Sequence, residues 1–527
     1  MRTAITAVIL ALAFGLCAQG ALPGLRTAWA EEPTGQKVVA QQKVDLAALA
    51  DQCRWMELMA AASDDAQRDA SDPGPVVFKL KAMRMLGQSV EALKQADEAV
   101  IRFPDNASVI LERAWIQAFN GRWTLALADA RRAEEIDPKL AEALTVQGIA
   151  YRELLDWDST ITLYTKVLDL RGDDAIALLN RGRAFVEKGM WREAKSDLDR
   201  SIALSQSPAE AFFHRGRAHA GSGRLADAIS DFTQAISLKP EATTPYSARA
   251  EVLARSGKWE DAAKDAYTAI VLGARQPGPY LTACQASVAL GDWDALAEYA
   301  AGGIMIAPQL PDFHRFSGRA CREMGDLTKA LQAYDQAAKI APEDIGTLLG
   351  RALTAVMLHR YELVETDCST VLKTHISSPA YALRGFARLK MGSLDSAYED
   401  SINALNLEPK DVMALLTRAN INLARNRGEE ALSDSRKALR IDPAQPWAYI
   451  TCGSALTMVG QGAQGLKMLD QAVTMAPEDG EAYFARGRCF AALGRHSDAR
   501  KDFEKAAVID SWLKAAVMEE LGKLRAK

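Results

Sequence analysis

The chain has 527 residues, of which 49% are hydrophobic and 25% are charged, a composition that supports a buried core and excludes disorder of the whole chain. Nineteen prolines and seven cysteines are too few for a collagen or a dense disulfide scaffold, and a net charge of −5 argues against a nucleic-acid binder. At about 150 residues per domain, the length predicts three or four domains or one repeat array.

The N-terminus has the pattern of an export signal. A positively charged start precedes an apolar run over residues 4–18, and Ala28-Trp29-Ala30 offers a small-x-small cleavage site. We therefore predict a signal peptide over 1–30, cleaved after Ala30, and a periplasmic or secreted product. The alternative is an uncleaved anchor, although the apolar run is shorter than a full membrane span. No later apolar run is long enough, so we expect no membrane span after cleavage.

Residues 31–72 are predicted to be a flexible lead with one helix. The helix is expected from Val44 to about Ala62, and a polar linker is expected over 63–74.

From Pro73 onward the sequence repeats. Prolines stand at 104, 138, 240, 308, 342, 409, 443 and 477, and all their spacings are multiples of 34 except one, which is 67. This period divides residues 73–513 into thirteen units, of which twelve have 34 residues and the unit 345–377 has 33. Residues 514–527 follow the last unit as a predicted capping helix, and the final helix is expected from Ser511 to about Arg525 with Asp510 as its N-cap. Its apolar side is expected to carry Leu513, Val517, Leu521 and Leu524.

Each unit is predicted to form two helices. In the unit 209–242, apolar or small residues occupy repeat positions 4, 8 and 11, and again positions 20, 24 and 27, at helical spacing. Gly223 at position 15 marks the turn between the helices. Pro240 at position 32 ends the second helix because proline lacks the amide donor.

Two positions recur through the units. Position 8 is small in Ala114, Gly148, Gly182, Gly216, Ala250, Gly318, Ala352, Gly385, Ala419, Gly453 and Gly487. Position 20 is alanine in Ala92, Ala126, Ala194, Ala228, Ala262, Ala330, Ala397, Ala431 and Ala499. This pattern resembles the tetratricopeptide repeat (TPR) family. The resemblance implies an all-α fold, an α-solenoid of about thirteen tandem helix-turn-helix repeats forming a right-handed superhelix, whose first helices line a concave groove.

Two units depart from the family pattern. Cys284 and Leu296 replace the small residues of the unit 277–310, and Val364 replaces the alanine of the unit 345–377. We expect these units to pack differently.

Arginine recurs at position 7 and aspartate at position 23, in the same eight units. The pairs are Arg113/Asp129, Arg181/Asp197, Arg215/Asp231, Arg249/Asp265, Arg351/Asp367, Arg384/Asp400, Arg418/Asp434 and Arg486/Asp502. Both positions lie eight residues from the turn, so they face each other in an antiparallel hairpin. We predict a bidentate ion pair between the two helices. The alternative is a basic track for an acidic ligand.

In the TPR family the groove is lined mainly by positions 2, 5, 9, 12 and 13. The resemblance therefore implies a partner-binding groove that combines apolar side chains with scattered arginines, typical of a protein or peptide site. The predicted groove residues are Arg183, Arg217, Arg315, Arg319, Leu349, Leu353, Phe386, Leu389, Met413, Leu416, Trp447 and Ile450. The alternative for each is packing between adjacent first helices. The residue set of a C-terminal carboxylate clamp is not found.

Motifs for catalysis, cofactors and metals are not found, and we predict no catalytic, cofactor-binding or metal residues and no enzyme activity. The G-x-G-x-x-G at 460–465 falls on a predicted turn between helices, without the strand that a dinucleotide site needs. Cys284/Cys321 and Cys452/Cys489 share a separation of 37 residues, which leaves disulfides and buried free thiols both open.

The sequence thus predicts an exported TPR scaffold that binds a partner protein or extended peptide in its groove and supports assembly of an envelope or secretion complex. The alternative is a non-catalytic accessory subunit of an envelope polysaccharide or peptidoglycan enzyme. An enzyme with a concealed site is a third reading. No nucleic-acid partner is expected.

Overall fold

A computed structural model describes residues 45–525, and the predicted signal peptide over 1–30 lies outside this range. The described residues form 29 α-helices and one short 3-10 turn, with no strand among them. The chain divides into an N-terminal unit that ends at Ala274 and a C-terminal unit that begins at Arg275. Within each unit, consecutive helices pack as antiparallel hairpins, and each hairpin stacks on the next.

The predicted repeat units match the helices. The first helix of every repeat begins at the first residue of a predicted unit. These first helices are α3 Pro73–Met85, α5 Ala107–Phe119, α7 Ala141–Glu153, α9 Ala175–Glu187, α11 Ala209–Gly221, α13 Thr243–Arg255, α15 Pro277–Leu290, α17 Pro311–Glu323, α19 Ile345–Met357, α21 Ser378–Lys390, α23 Val412–Ala424, α25 Pro446–Met458 and α27 Gly480–Ala492.

The second helices begin about sixteen residues after the first. They are α4 Ser89–Arg102, α6 Trp123–Ile136, α8 Trp157–Arg171, α10 Trp191–Leu204, α12 Leu225–Leu238, α14 Trp259–Val271, α16 Trp293–Ile306, α18 Leu327–Ile340, α20 Tyr361–Thr374, α22 Leu394–Leu407, α24 Gly428–Ile441, α26 Gly462–Met475 and α28 His496–Ile509.

The turn inside each hairpin requires a left-handed residue at position 15. Glycine supplies it in ten repeats, with φ between 71° and 85°, because glycine has no Cβ to clash there. Leu155, His359 and Asn426 occupy the same position in the other three repeats, with φ of 62°, 56° and 60°. Gly460 of the G-x-G-x-x-G segment is one of the turn glycines, so this segment joins α25 to α26 and follows no strand.

The core of each hairpin is filled by size complementarity between positions 8 and 24. Where position 8 is glycine, position 24 is usually large. A Cβ on Gly216 would lie 2.7 Å from the fully buried ring of Phe232, and Gly182 faces Leu198 in the same way. Where position 8 is alanine, position 24 is small, as in Ala250 and Ala266.

The two departing units compensate in the same way. Cys284 is fully buried at position 8 and its partner at position 24 is Ala300, which is also fully buried. Leu296 and Val364 are fully buried as well. Both units form the same two-helix hairpin as the others.

The N-terminal end differs from the sequence prediction. Instead of one helix from Val44 to about Ala62, two helices form, α1 Leu46–Asp51 and α2 Trp55–Arg68. The break falls at Cys53, whose φ is 56°, a value that α-helices of L-residues do not adopt. Helix α2 also continues through the first half of the predicted linker, to Arg68.

At the other end, a 3-10 turn over Ser511–Leu513 leads into α29 Lys514–Arg525. The sequence predicted that the side chain of Asp510 caps the final helix, but it makes no capping hydrogen bond there. Its carboxylate instead accepts a hydrogen bond from the backbone amide of Gly480, at 2.9 Å. The predicted apolar side is confirmed in that Leu513 and Val517 are buried against the last repeat.

The paired cysteines are not bridged. Cys284, Cys321, Cys452 and Cys489 carry free thiols, as does Cys368. Burial raises the pKa of the Cys284 thiol to about 12, so it stays protonated and unreactive at neutral pH. The two pairs separated by 37 residues are therefore small side chains in the helical packing, of which Cys284, Cys452 and Cys489 are buried and Cys321 is half-buried.

Candidate partner-binding surface

All eight predicted Arg–Asp pairs form. In each, the arginine Nε and Nη2 donate to the two carboxylate oxygens of the aspartate, at 2.6–2.9 Å. The aspartates are only 1–7% exposed. Hydrogen bonding to Asp129 raises the pKa of Arg113, and the other pairs have the same geometry. The position-7 arginines are therefore internal ties between the two helices of a hairpin, not a basic track.

These arginines also make a hydrogen bond through Nη1, which was not predicted from the sequence. In seven repeats Nη1 donates to position 25 of the preceding repeat, at 2.7–3.1 Å. The acceptors are Asp97, Thr165, Asp199, Thr233, Asp335, Ser369 and Asp470. Arg418 is the exception, because position 25 before it is Ile402. The signal was a recurring Asp, Thr or Ser two residues after the paired aspartate position.

Of the four basic residues predicted for the groove, two form ion pairs with carboxylates and two have a buried Nε without a hydrogen-bond partner. Arg217 donates to Glu187 at 2.6 Å, and Arg315 forms ion pairs with Asp312 and Asp344. Arg319 stacks over the ring of Trp293, and its Nε is buried without a hydrogen-bond partner. Arg183 also has a buried Nε without a partner. Arg183 and Arg217 lie in the N-terminal unit, and Arg315 and Arg319 lie in the C-terminal unit.

Four of the predicted apolar groove residues are half-buried on first helices of the C-terminal unit. They are Leu349, Leu353, Leu389 and Met413. Leu349, Leu353 and Met413 pack against the core of the hairpin formed by α19 and α20. Their remaining exposure leaves apolar surface on α19, α21 and α23 that a partner can cover.

Two predicted groove residues belong to the core instead. Leu416 is fully buried and Ile450 is 6% exposed. Each packs between adjacent first helices, the alternative that their positions left open, because consecutive first helices approach closely at this face. Neither offers surface to a partner.

Phe386 and Trp447 contact each other across the C-terminal unit. Phe386 lies on α21 and Trp447 on α25, two repeats further on, and their rings meet edge to face with centroids 5.3 Å apart. The ring of Tyr361, the first residue of the second helix α20, also meets the Phe386 ring edge to face, with centroids 6.2 Å apart. Phe386 therefore packs against two other rings, which reduces the area of its own ring that is open to a ligand.

An ion pair next to these rings was missed by the sequence reasoning. Lys390 on α21 donates to Glu481 on α27, three repeats away, and its ammonium lies 5.5 Å from the centroid of the Trp512 ring. Burial, followed by the charge of Glu481, raises the pKa of Tyr361 nearby. Lys390 and Glu481 occupy positions 13 and 2, which are groove positions in the TPR family. The repeat positions of Lys390 and Glu481 could have marked both as groove residues. Nothing in the sequence indicates that helices three repeats apart bring the two side chains together.

Within residues 45–525, no group of three or more His, Cys, Asp and Glu side chains is arranged to hold a metal ion. None of the described helices combines the length and the apolar character needed to cross a bilayer.

Comparison with known proteins agrees with the repeat architecture. A tetratricopeptide repeat family model matches residues 86–141, 179–243, 214–279, 284–345 and 459–513, which together make up more than half of the chain. No curated protein sequence matches the chain.

Several solved structures are similar at low identity. A chain of the APC/C hetero-tetramer Cut9–Hcn1 matches with 12% identity and a TM-score of 0.42, over 91% of this chain and 95% of that one. The Pseudomonas aeruginosa protein pilF matches with 18% identity and a TM-score of 0.37, over 40% and 97%. YrrB, described as a TPR protein with an unusual peptide-binding site, matches with 16% identity and a TM-score of 0.31, over 35% and 95%.

Thirteen helical hairpins and family matches over more than half of the sequence lead to one assignment. The chain belongs to the tetratricopeptide repeat family.

Proposed function

We propose that the protein is an exported, non-catalytic scaffold. It binds a partner protein or extended peptide on the first-helix face of its C-terminal unit and supports assembly of an envelope or secretion complex. The supporting observation is the half-buried apolar surface of Leu353, Leu389 and Met413 on successive first helices. TPR proteins bind protein or peptide partners, so this surface matches the known use of the fold.

A photo-crosslinking amino acid tests the binding face. It is placed at Leu353 or Leu389 and, as a matched control, at Met305, an 87% exposed apolar residue on the second helix α16. Crosslinking is carried out in the envelope fraction. We expect the same partner to be captured from 353 and 389 but not from 305. Equal capture at all three positions would contradict the proposed face.

A substitution complements the crosslinking. Leu353→Ser with Leu389→Ser removes apolar area from the face, so we expect the yield of the captured partner to fall at least about tenfold. Val90→Ser with Ile101→Ser is the control, because both residues are more than 80% exposed on α4. Circular dichroism is used to check that both double variants keep their helix content. Unchanged capture by the first double variant would remove the proposal.

Export rests on the N-terminal pattern and is tested separately. N-terminal sequencing of the protein from the envelope fraction is expected to begin at Glu31. A chain that retains Met1 in the cytoplasmic fraction would overturn the export part and leave the binding face untouched.

A further inference from the structure

Side chains of the C-terminal unit bridge its own first-helix face. Most ion pairs within residues 45–525 join residues of one repeat or of adjacent repeats, whereas Lys390 and Glu481 are 91 positions apart in the sequence. Lys390 is the last residue of α21, and Glu481 lies in the first turn of α27. Their side chains are 25% and 28% exposed. The pair therefore links two first helices that are separated along the chain by those of two other repeats, α23 and α25.

Two aromatic rings lie close to the ammonium of Lys390. Its Nζ is 5.7 Å from the centroid of the Phe386 ring on the same helix and 5.5 Å from the centroid of the Trp512 ring. The Phe386 ring also meets Trp447 of α25 edge to face. A cation is attracted by the electron-rich face of an aromatic ring, and this attraction grows as water is excluded. The ion pair and the rings therefore form one connected set of contacts that joins α21, α25 and α27.

The C-terminal cap holds Trp512 beside this ion pair. Trp512 belongs to the 3-10 turn that precedes α29, and its ring stays largely exposed. The turn is fixed on both sides of Trp512, because the carboxylate of Asp510 accepts from the amide of Gly480 at 2.9 Å and Leu513 is buried. Gly480 directly precedes Glu481, so the carboxylate and the ring that contact Lys390 are held by the same corner of the last repeat.

The bridge lies on the face that we propose as the binding surface. Leu389 directly precedes Lys390, and positions 12 and 13 are both groove positions in the TPR family. Met413 lies in the first turn of α23, the first helix between α21 and α25 in the chain. Leu389 and Met413 are half-buried. A partner that covers both of them must therefore compete with the contacts that α21 makes to α25 and α27.

We propose that Lys390, Glu481 and Trp512 form a latch that closes the first-helix face of the C-terminal unit in the free protein and opens when a partner binds there. Repeats contact mainly their neighbours, so small rotations at three successive junctions are enough to separate α21 from α27. Ion pairs between partly exposed side chains are individually weak, so the latch opens and closes again without unfolding a repeat. The apparent affinity for a partner then depends on the fraction of molecules that are open.

The inference rests on the proposed function for the identity of the face that the latch closes. The latch itself is tested without a partner, by a distance within the free chain. An unchanged distance would overturn the latch and leave the crosslinking result standing. Failure to capture a partner would overturn the proposed function and leave the measured distance standing.

Double electron–electron resonance on the full chain measures the separation of α21 from α27. Spin labels carried by unnatural amino acids replace Ser393, just after α21, and Glu478, just before α27, because both residues are exposed. Labels of this kind leave the native thiols unmodified. We expect a single narrow distance distribution with both residues of the ion pair present. Glu481→Gln should lengthen the mean distance by at least about 3 Å, because the rotations at successive junctions add up.

Two further variants separate the latch from a general loss of structure. Trp512→Ala removes a ring that is 58% exposed, so the fold should be retained and the distance should lengthen by less than in Glu481→Gln. Asp395→Asn is the matched control, because Asp395 accepts from Arg425 of the adjacent repeat and takes no part in the latch. The wild-type distance in Glu481→Gln would refute the latch, and the wild-type distance in Trp512→Ala would remove Trp512 from it. Lengthening in Asp395→Asn would show that the loss of any ion pair loosens the repeats, and would also overturn the proposal.

Partner capture tests the regulatory role. With the crosslinking amino acid at Leu353 and the partner limiting, Glu481→Gln should raise the yield of the captured partner at least about threefold, because more molecules are open. Asp395→Asn should leave the yield unchanged. An equal or lower yield in Glu481→Gln would show that the latch does not compete with the partner.

Discussion

Seven of the eight paired position-7 arginines form two kinds of contact with one planar group. Nε and Nη2 hold the aspartate of the same hairpin, and in seven repeats Nη1 reaches the preceding repeat. Lysine has a single ammonium and cannot reproduce this fork. The arginine side chains are 16–23% exposed and their aspartates nearly buried, so these pairs are intermediate between surface and interior ion pairs.

A double-mutant cycle tests the bridge in the repeat 209–242. Asp231→Ala leaves the buried end of Arg215 without its main partner, so we expect a loss of about 2–4 kcal/mol in unfolding free energy and a lower melting temperature. Arg215→Ala combined with Asp231→Ala should cost less than the sum of the single changes. Additive losses would show that the pair contributes no coupling.

The repeat 412–445 provides the control for the inter-repeat bond. Arg418 pairs with Asp434 but faces Ile402, so it lacks the third hydrogen bond. Arg418→Ala should therefore destabilise less than Arg215→Ala in melts of the full chain.

The inter-repeat bond also predicts a pH dependence. Burial alone would raise the pKa of Asp199, but hydrogen bonds from Lys195 and Arg215 outweigh it, and the pKa lies below 3.8. The stabilisation by its charge is therefore complete above pH 3.8 and is lost as the pH falls through the lower value of the folded state. Asp199→Asn should lower stability by less than about 1 kcal/mol at pH 7, because the side chain is 37% exposed. The difference from wild type should shrink toward pH 3. A constant difference across this range would exclude the ionic contribution.

At the scale of the helices, most hairpins have matched volumes at positions 8 and 24, and Gly385 with Ser401 is the exception. Glycine at position 8 lets the second helix bring Tyr164, Phe232, Tyr334 or Phe503 against the first helix. Alanine at position 8 occurs with a small partner such as Ala130 or Cys368. The close approach of the helices therefore depends on the sum of the two side chains rather than on either alone.

Gly216→Ala tests this rule. The new Cβ would meet the Phe232 ring at 2.7 Å, and we expect a loss of about 1–3 kcal/mol in unfolding free energy. Gly385→Ala is the matched control, because its partner at position 24 is Ser401 and the nearest atom would lie at 3.1 Å. The control should stay within about 1 kcal/mol of wild type in urea melts. Equal losses in the two variants would disprove size complementarity.

At the scale of the whole molecule, the array needs an end that covers its last hairpin. Helix α29 and the preceding 3-10 turn do this, because Leu513 and Val517 pack against Phe490 and Phe503. Near the start, Leu58 of α2 is fully buried in a cluster with Ala82 of α3. Repeats contact mainly their neighbours, so an uncovered end destabilises the repeats next to it first.

Deletion of residues 511–527 should therefore loosen the last repeat without unfolding the N-terminal unit. Hydrogen exchange is expected to speed up in α27 and α28, because they lose the apolar cover of Leu513 and Val517. Exchange in α5 and α6 should not change. Faster exchange in both regions would mean that the array unfolds as one cooperative body.

The sequence by itself determined the repeat length, the hairpins, the turn position and the Arg–Asp pairs, because each is a local feature that recurs in eight or more of the thirteen units. Local spacing along one hairpin is enough to place position 7 opposite position 23. The break at Cys53 and the carboxylate of Asp510 escaped prediction, since each depends on a packing environment that occurs once.

Only the tertiary structure decided which groove residues are accessible. The burial of Leu416 and Ile450 depends on how adjacent first helices approach each other. The contact of Phe386 with Trp447 and the pair of Lys390 with Glu481 depend on first helices two and three repeats apart. That approach is the accumulated result of small rotations between stacked hairpins, which no single repeat encodes. The buried Nε of Arg183 without a hydrogen-bond partner has the same origin. Whether an acceptor lies within reach depends on the positions of all the neighbouring helices.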